Sequence, residues 1–330
     1  MIVLNFNGGE LVHQAVASVC KSRWPADALE VILVDNASTD GSVDRVAVEF
    51  PVVRIIQSSS NRGFPANNLG MHDLAGVDYV ALVNPDAFVD PDWLTPLVDA
   101  LDEDQQLGAA CPLILFAAPD DHGRELVNNA GCEVLANGYT RDRAMGVVYD
   151  PDSFEPIDVF AWSGGAVLLR REYLEDVGLF DERFFLYYED IDLSWRGRLR
   201  GWRYRLVPAS IVHHHHAATV GVGSPTHRYY TERNRLLMLM KNAPAAMVTR
   251  EVLRFPLSTA SYLWADVVAP LVRGRRPRFA TVALRVRSFA GVVRHAWYAL
   301  RGRRRIRSRR TADPQRLATE LIRDRTFRRT

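Results

Sequence analysis

Short apolar runs alternate with polar turns along the first third of the chain. Ile2-Val3-Leu4, Glu30-Val31-Ile32-Leu33-Val34-Asp35, Val52-Val53-Arg54-Ile55-Ile56 and Tyr79-Val80-Ala81-Leu82-Val83 read as buried strands. Leu11 to Ser22 and Val43 to Phe50 carry apolar residues at helical period, the second behind the capping residues of Asn36-Ala37-Ser38-Thr39-Asp40-Gly41-Ser42. Strand alternating with helix predicts an α/β fold with a mostly parallel sheet and helices on both faces. Such sheets bind ligands at the C-terminal ends of their strands, where the polar residues gather here.

One stretch breaks this rhythm. In Phe184-Phe185-Leu186-Tyr187-Tyr188-Glu189-Asp190-Ile191-Asp192-Leu193-Ser194-Trp195 an aromatic wall ends in three acids within four positions. Ile191, Trp195, Leu199 and Trp202 then recur at three- or four-residue spacing, with Gly201 as the stop, so the acids sit at a helix N-terminus. Backbone N–H groups and the helix dipole favour carboxylates there, and capping alone is a rival reading for any one of them.

Composition narrows the class. The 330 residues, 48% hydrophobic, can bury one large core or two smaller ones. Cys20, Cys111 and Cys132 are odd in number and in no metal-ligand spacing, which predicts free thiols in a reducing compartment. The first residues have no basic leader and too short an apolar run for a signal peptide or a membrane span, and read as a strand entered in its middle. No Gly-x-Gly-x-x-Gly follows the first strand and no Gly-x-x-x-x-Gly-Lys occurs, so any nucleotide must be held by side chains. Asp35, Arg62 and Asp86, each just past a strand, offer an acceptor for a base or ribose, a cation for a diphosphate and a hard oxygen for a divalent metal. Taken singly, each is also an ordinary turn or cap residue.

The run Asn5-Phe6-Asn7-Gly8, then Val34 to Ser42, Asn61-Arg62-Gly63-Phe64 and Leu82-Val83-Asn84-Pro85-Asp86-Ala87 resembles the nucleotide-sugar half of family 2 inverting glycosyltransferases of the GT-A fold. Gly164-Gly165-Ala166-Val167-Leu168-Leu169-Arg170-Arg171, Gly178 to Phe185, Glu189-Asp190-Ile191-Asp192 and the histidines after Val212 resemble the acceptor half of rhamnosyltransferase-like members. The resemblance spans roughly residues 1–240. It implies that Phe6 and Asp35 contact the base, that Arg62 lies near the diphosphate, and that Asn84-Pro85-Asp86 is the family's Asp-x-Asp signature, with Asn84 beside the donor and Asp86 on the metal. One carboxylate of that signature is missing, which puts absolute metal dependence in doubt. Members usually have a few more residues before the first strand, so a longer natural N-terminus is implied.

Asp190 matches the family's catalytic base, and Glu189 is its neighbour and the alternative acid; Asp192 reads as structural. The chemistry agrees, since inversion needs one carboxylate to take the acceptor hydroxyl's proton, and an apolar wall raises its pKa toward a useful value. Of the run His213-His214-His215-His216, His214 falls at the histidine that closes over metal and diphosphate, with His213 or His215 as substitutes. A carboxylate, an imidazole and phosphate oxygens suit Mg²⁺ or Mn²⁺. Trp162, before Gly164-Gly165, reads either as a sugar-stacking surface or as a core tryptophan.

The net charge of +2 hides a polar split. From Thr231 onward 24 Lys+Arg stand against 6 Asp+Glu, whereas the first 230 residues hold 17 against 33. The expected layout is a catalytic domain over 1–230, with a nucleotide-sugar half (1–110) and an acceptor half (111–230), and a helical, basic C-terminal region over 231–330. Phe255 to Val272 is apolar but holds Pro256, Asp266 and Pro270, which argues against a straight spanning helix and for one lying in an interface. Arg273 to Arg310 contains fourteen arginines and no carboxylate, interleaved with apolar residues, the composition of a basic amphipathic segment on anionic lipid. Nucleic acid, or a merely solvated tail, is the competing reading.

The expectation is a cytoplasmic glycosyltransferase, peripheral on the inner face of the membrane. It moves a sugar, first guess rhamnose from its thymidine diphosphate donor, onto a polyprenyl-diphosphate-linked saccharide in cell-envelope synthesis. A non-catalytic nucleotide-sugar-binding protein and a nucleotidyltransferase on a similar sheet are the alternatives.

Overall fold

The computed structural model describes residues 1–215, 221 and 223–322. The chain divides into two compact units, residues 1–133 with 140–219, and residues 134–139 with 220–330.

The first unit begins as β1 (Ile2–Asn5), α1 (Gly9–Cys20), β2 (Ile32–Asp35), α2 (Ser42–Glu49), β3 (Arg54–Gln57), a 3₁₀ turn over Phe64–Leu69, and β4 (Tyr79–Val83). The short β5 (Ala87–Val89), α3 (Leu94–Glu103) and the long β6 (Leu107–Phe116) follow. After them come β7 (Val127–Asn129), the two-stranded β8 (Cys132–Val134) and β9 (Thr140–Asp142), β10 (Ile157–Val159) and β11 (Ala166–Arg170). α4 (Arg171–Val177), α5 (Glu189–Leu199) and β12 (Arg203–His214) complete it.

The main sheet runs β10-β12-β6-β11-β4-β1-β2-β3. Its nucleotide half, β4-β1-β2-β3, is parallel as the periodicity predicts. Beyond β4 the sheet is mixed, because β11 lies antiparallel between β4 and β6 while β12 pairs parallel with β6. Alternate residues of each strand feed two cores, as a pleated strand requires. Val3, Leu33, Ala81 and Val83 join α1, α2 and α3 on one face. Ile2, Leu4, Ile32, Val34, Val80 and Leu82 join Tyr173, Leu174 and Leu193 of α4 and α5 on the other. Both faces are therefore covered, which is why these strands read as continuous apolar runs.

Beneath the acid cluster, α5 is tightly fixed. Tyr173 donates its hydroxyl to the Leu193 carbonyl at 3.0 Å and Tyr204 to that of Ser194 at 2.6 Å. Gly197 makes room for both rings, since a Cβ there would stand 2.0 Å from the Tyr204 hydroxyl. The fully buried Asp192 pairs with Arg196 at 2.9 Å, and Arg196 also donates to the carbonyls of Val177 and Leu179. Asp192 is thus structural, as its position suggests. Trp162 is fully buried against Phe180, so it is a core residue and not a sugar-stacking surface.

In the second unit α6 (Pro225–Asn242), capped by the Ser224 hydroxyl, packs along the 30-residue α9 (Ala280–Arg309). α7 (Ala245–Leu263) runs through a five-residue π-turn into α8 (Ala269–Val272) before α9, and α10 (Pro314–Thr319) follows. The helix therefore continues past Pro256, turning wider at Trp264–Val268. Gly291 permits the α6–α9 contact, because a Cβ would meet the Tyr229 hydroxyl at 2.9 Å. Arg235 and Arg285 are internal. The first lies 4.3 Å over the Tyr139 ring and 3.4 Å from Glu251; the second lies 4.2 Å over Phe255 and 3.4 Å from Glu232. Among the described residues no helix is long and apolar enough to cross a membrane.

Candidate functional site

The parallel strands end at a common edge. Asn5 faces Asp35 in register, and the Asn5 amide donates to Asp35 Oδ1 (3.3 Å), Ser38 Oγ (3.1 Å) and Ser42 Oγ (2.9 Å). Its Oδ1 in turn accepts the Gly8 N–H at 3.0 Å. This net ties the loop after β1, which bears the half-buried Phe6, to the loop after β2, with Asp35 itself buried. Asn36 performs the same task one step on: its Oδ1 accepts the Arg62 N–H at 2.8 Å, and its amide donates to Asn61 Oδ1 and the Gly63 carbonyl, both at 3.0 Å. The Arg62 guanidinium lies 2.9 Å from Glu182, with both side chains partly in solvent.

Gly63 joins this edge to the acid cluster. Its φ of +69° is a conformation that side chains disfavour, and a Cβ there would stand 1.9 Å from the Phe185 carbonyl oxygen. That oxygen accepts the Phe64 N–H at 2.7 Å. On the opposite side of the contact Phe185, Tyr187 and Tyr188 all have φ between +63° and +71°. Left-handed backbone at aromatic residues costs on the order of 1 kcal/mol or more each and concentrates at working sites.

Asp190 sits in the first turn of α5. Its Oδ2 accepts the Gly164 N–H at 3.1 Å and its Oδ1 the Ile191 N–H at 2.8 Å. Burial pushes its carboxyl up to about 6 against the pull of those two N–H groups, with the charge of Asp142 adding to the rise. Glu189, more deeply buried, is driven well above the carboxylate range by desolvation and by the Asp190 charge. One of its oxygens has no hydrogen-bond partner among the described residues. Desolvation and the neighbouring charge thus raise Glu189 while two N–H groups restrain the rise of Asp190, so the first proton to leave the pair is that of Asp190.

Asn84 leaves β4, donating its N–H to the Gly165 carbonyl at 2.9 Å, and the chain turns to Asp86. β12 brings His214 against it: His214 pairs with Ala87 of β5 on one side and Phe116 of β6 on the other. His214 Nε2 lies 3.1 Å from Asp86 Oδ1, and its Nδ1 lies 3.2 Å from Asn128 Oδ1. All three residues are buried. His213 points toward Asp90 at 3.5 Å, and the His215 ring stacks edge-on with Phe88. His216 lies outside the described residues. With Nδ1 toward the Asn128 oxygen, His214 turns Nε2 on the Asp86 carboxylate, where it can donate a proton or, with that proton gone, share a cation. Two bare acceptors at that distance repel unless a proton or a cation lies between them. The donor set of one carboxylate oxygen and one held imidazole thus fits a hard divalent ion completed by phosphate oxygens, and among the described residues no cluster of three protein ligands exists.

Asn5, Asn36, Asn128 and Asp142 were not singled out by sequence reasoning. Short polar side chains after strands are common turn residues, and only register reveals which of them meet. The spacing of Asn128 and Asp142 around β8 carries no motif.

A profile of the Glycosyl transferase family 2 matches residues 1–178. The chain is 28% identical over 244 residues to the N-acetylglucosaminyl-diphospho-decaprenol L-rhamnosyltransferase of Mycobacterium tuberculosis, a match that covers 69% of this chain and 79% of that protein. Its fold resembles that of GalNAc-T7 solved with UDP, GalNAc and Mn²⁺ (TM-score 0.58, 17% identity, 90% of this chain and 56% of that one). It also resembles the mannosyltransferase PcManGT of Pyrobaculum calidifontis solved with GDP-Man and Mn²⁺ (TM-score 0.53, 20% identity, 90% and 86%).

Proposed function

The chain belongs to glycosyl transferase family 2 and has the GT-A fold, and from that premise we propose that it transfers a sugar, with inversion, from a nucleotide donor to a lipid-linked saccharide. The observation that carries the reading is Asp190: a half-buried carboxylate with a pKa of about 6, fixed by two backbone N–H groups and joined through Gly63 and Phe185 to the loops of the nucleotide edge.

Phe6 and Asp35 take the base and ribose, Asn84 lines the donor side, and Arg62 exchanges Glu182 for the diphosphate. Asp86 and His214, the latter oriented by Asn128, would hold a Mg²⁺ or Mn²⁺ ion. When bound, that ion offsets the charge that builds on the departing nucleoside diphosphate. The residues of the chain do the rest. Asp190, ionised above its pKa, accepts the acceptor hydroxyl's proton as that oxygen attacks the anomeric carbon from the face opposite the leaving group. Glu189, the weaker acid of the pair, resists ionisation beside it, since a second negative charge there would be buried next to the first. The oxygen–sugar bond forms, the sugar–phosphate bond breaks, and the proton stays on Asp190 until water removes it.

The similarity to an enzyme whose name specifies rhamnosyl transfer to N-acetylglucosaminyl-diphospho-decaprenol supports rhamnose as the sugar and a polyprenyl diphosphate saccharide as the acceptor. A panel of nucleotide sugars, each incubated with Mn²⁺ and a short polyprenyl-diphosphate saccharide, tests this. Nucleoside diphosphate release with formation of a lengthened lipid-linked product from the thymidine diphosphate rhamnose donor is expected. Turnover of another sugar alone would reassign the donor, and nucleotide binding without turnover of any would make the protein a binding module.

A further inference from the structure

The 30-residue α9 is amphipathic twice over. Its inner face, with Ser288, Val292 and Ala299 buried, packs along α6. On its outer face Phe279, just before the helix, is followed at helical spacing by Val286, Val293, Trp297 and Leu300, and these side chains are 43% to 61% exposed. The residues next in sequence to three of them are Arg287, Arg294 and Arg301, all exposed. With 3.6 residues per turn, neighbours in sequence stand about 100° apart, so the helix shows solvent an apolar stripe with a parallel basic one beside it. α7 repeats the apolar half, with Leu253, Leu257 and Trp264 exposed opposite its buried Glu251 and Phe255. The only carboxylates between residues 245 and 310 are Glu251, which is buried and paired, and Asp266, which pairs with Arg278.

We propose that the outer face of α9 docks on an anionic lipid bilayer, Val286, Val293, Trp297 and Leu300 entering the acyl boundary while Arg287, Arg294 and Arg301 meet the phosphate headgroups. This deepens the reading above and rests on it only for its purpose, which is to bring the transferase to a lipid-linked acceptor. The charge pattern selects the occupant. A second copy would oppose one arginine row to another. Nucleic acid would satisfy the arginines but leave Val286, Val293 and Leu300 in water, because aliphatic side chains offer no face on which a base can stack. A bilayer surface satisfies both stripes at once, and a helix of this length lies along it for about 45 Å.

The test uses the full-length protein with vesicles of phosphatidylcholine alone and of phosphatidylcholine with about one-third phosphatidylglycerol, a composition set by the headgroup charge the arginines require. Flotation with the anionic vesicles is expected. The double variant Val293→Asp/Leu300→Asp should lower partitioning at least about tenfold at every salt concentration, since it removes apolar burial and adds like charge. The triple variant Arg287→Gln/Arg294→Gln/Arg301→Gln should lower it at low salt and converge on the parent at high salt. All five side chains are exposed, so circular dichroism and the thermal transition should be unchanged. Transfer to a water-soluble saccharide should also be unchanged, while transfer to vesicle-borne acceptor falls. Undiminished flotation of the double variant overturns the proposal. So does tighter binding to an oligonucleotide than to anionic vesicles at matched salt, or a parent dimer that the double variant splits. Flotation as expected from a protein that turns over no nucleotide sugar would uphold the docking face and refute the transferase reading instead.

Discussion

Replacing Asp190 by Asn should make the protein inactive and raise its stability at pH 7.5 relative to that at pH 4.5. The folded state holds the Asp190 carboxyl at about 6 against an ordinary 3.8. A folded pKa raised above the unfolded one means that the proton is held more tightly in the fold. The stability it confers is complete below pH 3.8 and is lost as pH rises through 6, where the buried charge opposes folding. A rise of that size corresponds to roughly 3 kcal/mol at pH 7.5 and to only about 1 kcal/mol at pH 4.5. Asn keeps the shape and an acceptor for the Gly164 N–H and turns its amide NH₂ on the Ile191 N–H, a loss independent of pH; it never ionises, so it escapes the pH-dependent cost. Urea unfolding of parent and variant at the two pH values should therefore give a gain that is larger by about 2 kcal/mol at pH 7.5 than at pH 4.5. Turnover should fall by at least about a hundredfold with donor affinity retained, because an amide accepts no proton in the transition state. In the parent, turnover should rise with pH through an apparent pKa near 6. A stability difference between variant and parent that does not change with pH refutes the burial argument. An active Asp190→Asn beside a dead Glu189→Gln refutes the choice of acid.

Asp86→Ala and His214→Ala should each weaken donor binding and abolish its rescue by Mn²⁺ after EDTA treatment; calorimetry with the nucleoside diphosphate reads this directly, and metal-independent affinity equal to the parent's would count against the pair. Gly63→Ala forces a Cβ against the Phe185 carbonyl and strains a positive φ, so it should destabilise the catalytic unit by on the order of 2 kcal/mol and depress turnover, measured by urea midpoint and rate. Asp192→Asn leaves the Arg196 charge without its buried partner and should destabilise by about 3 kcal/mol, while donor affinity measured well below the transition stays near the parent's.

The local pattern of the chain determined a good deal. Four apolar runs with polar ends specify four strands, and the residues after them, Phe6, Asp35, Arg62 and Asp86, mark one edge of the sheet, because in a parallel arrangement all C-terminal ends point the same way. The heptad of Val286, Val293 and Leu300, offset by one from Arg287, Arg294 and Arg301, was also written in the order of residues. What no local pattern contains is which distant groups meet. Asn128 behind His214, the Phe185 carbonyl against Gly63 and the charge of Asp142 near Asp190 join segments separated by tens of residues, through register and loop path. Likewise the inner and outer faces of α9 differ because α6 and α7 pack on one of them. Even the difference in acid strength between Glu189 and Asp190 belongs to the tertiary structure. Side by side in sequence they are equal acids, and what separates their protons is desolvation, which depends on what the rest of the chain packs around each one.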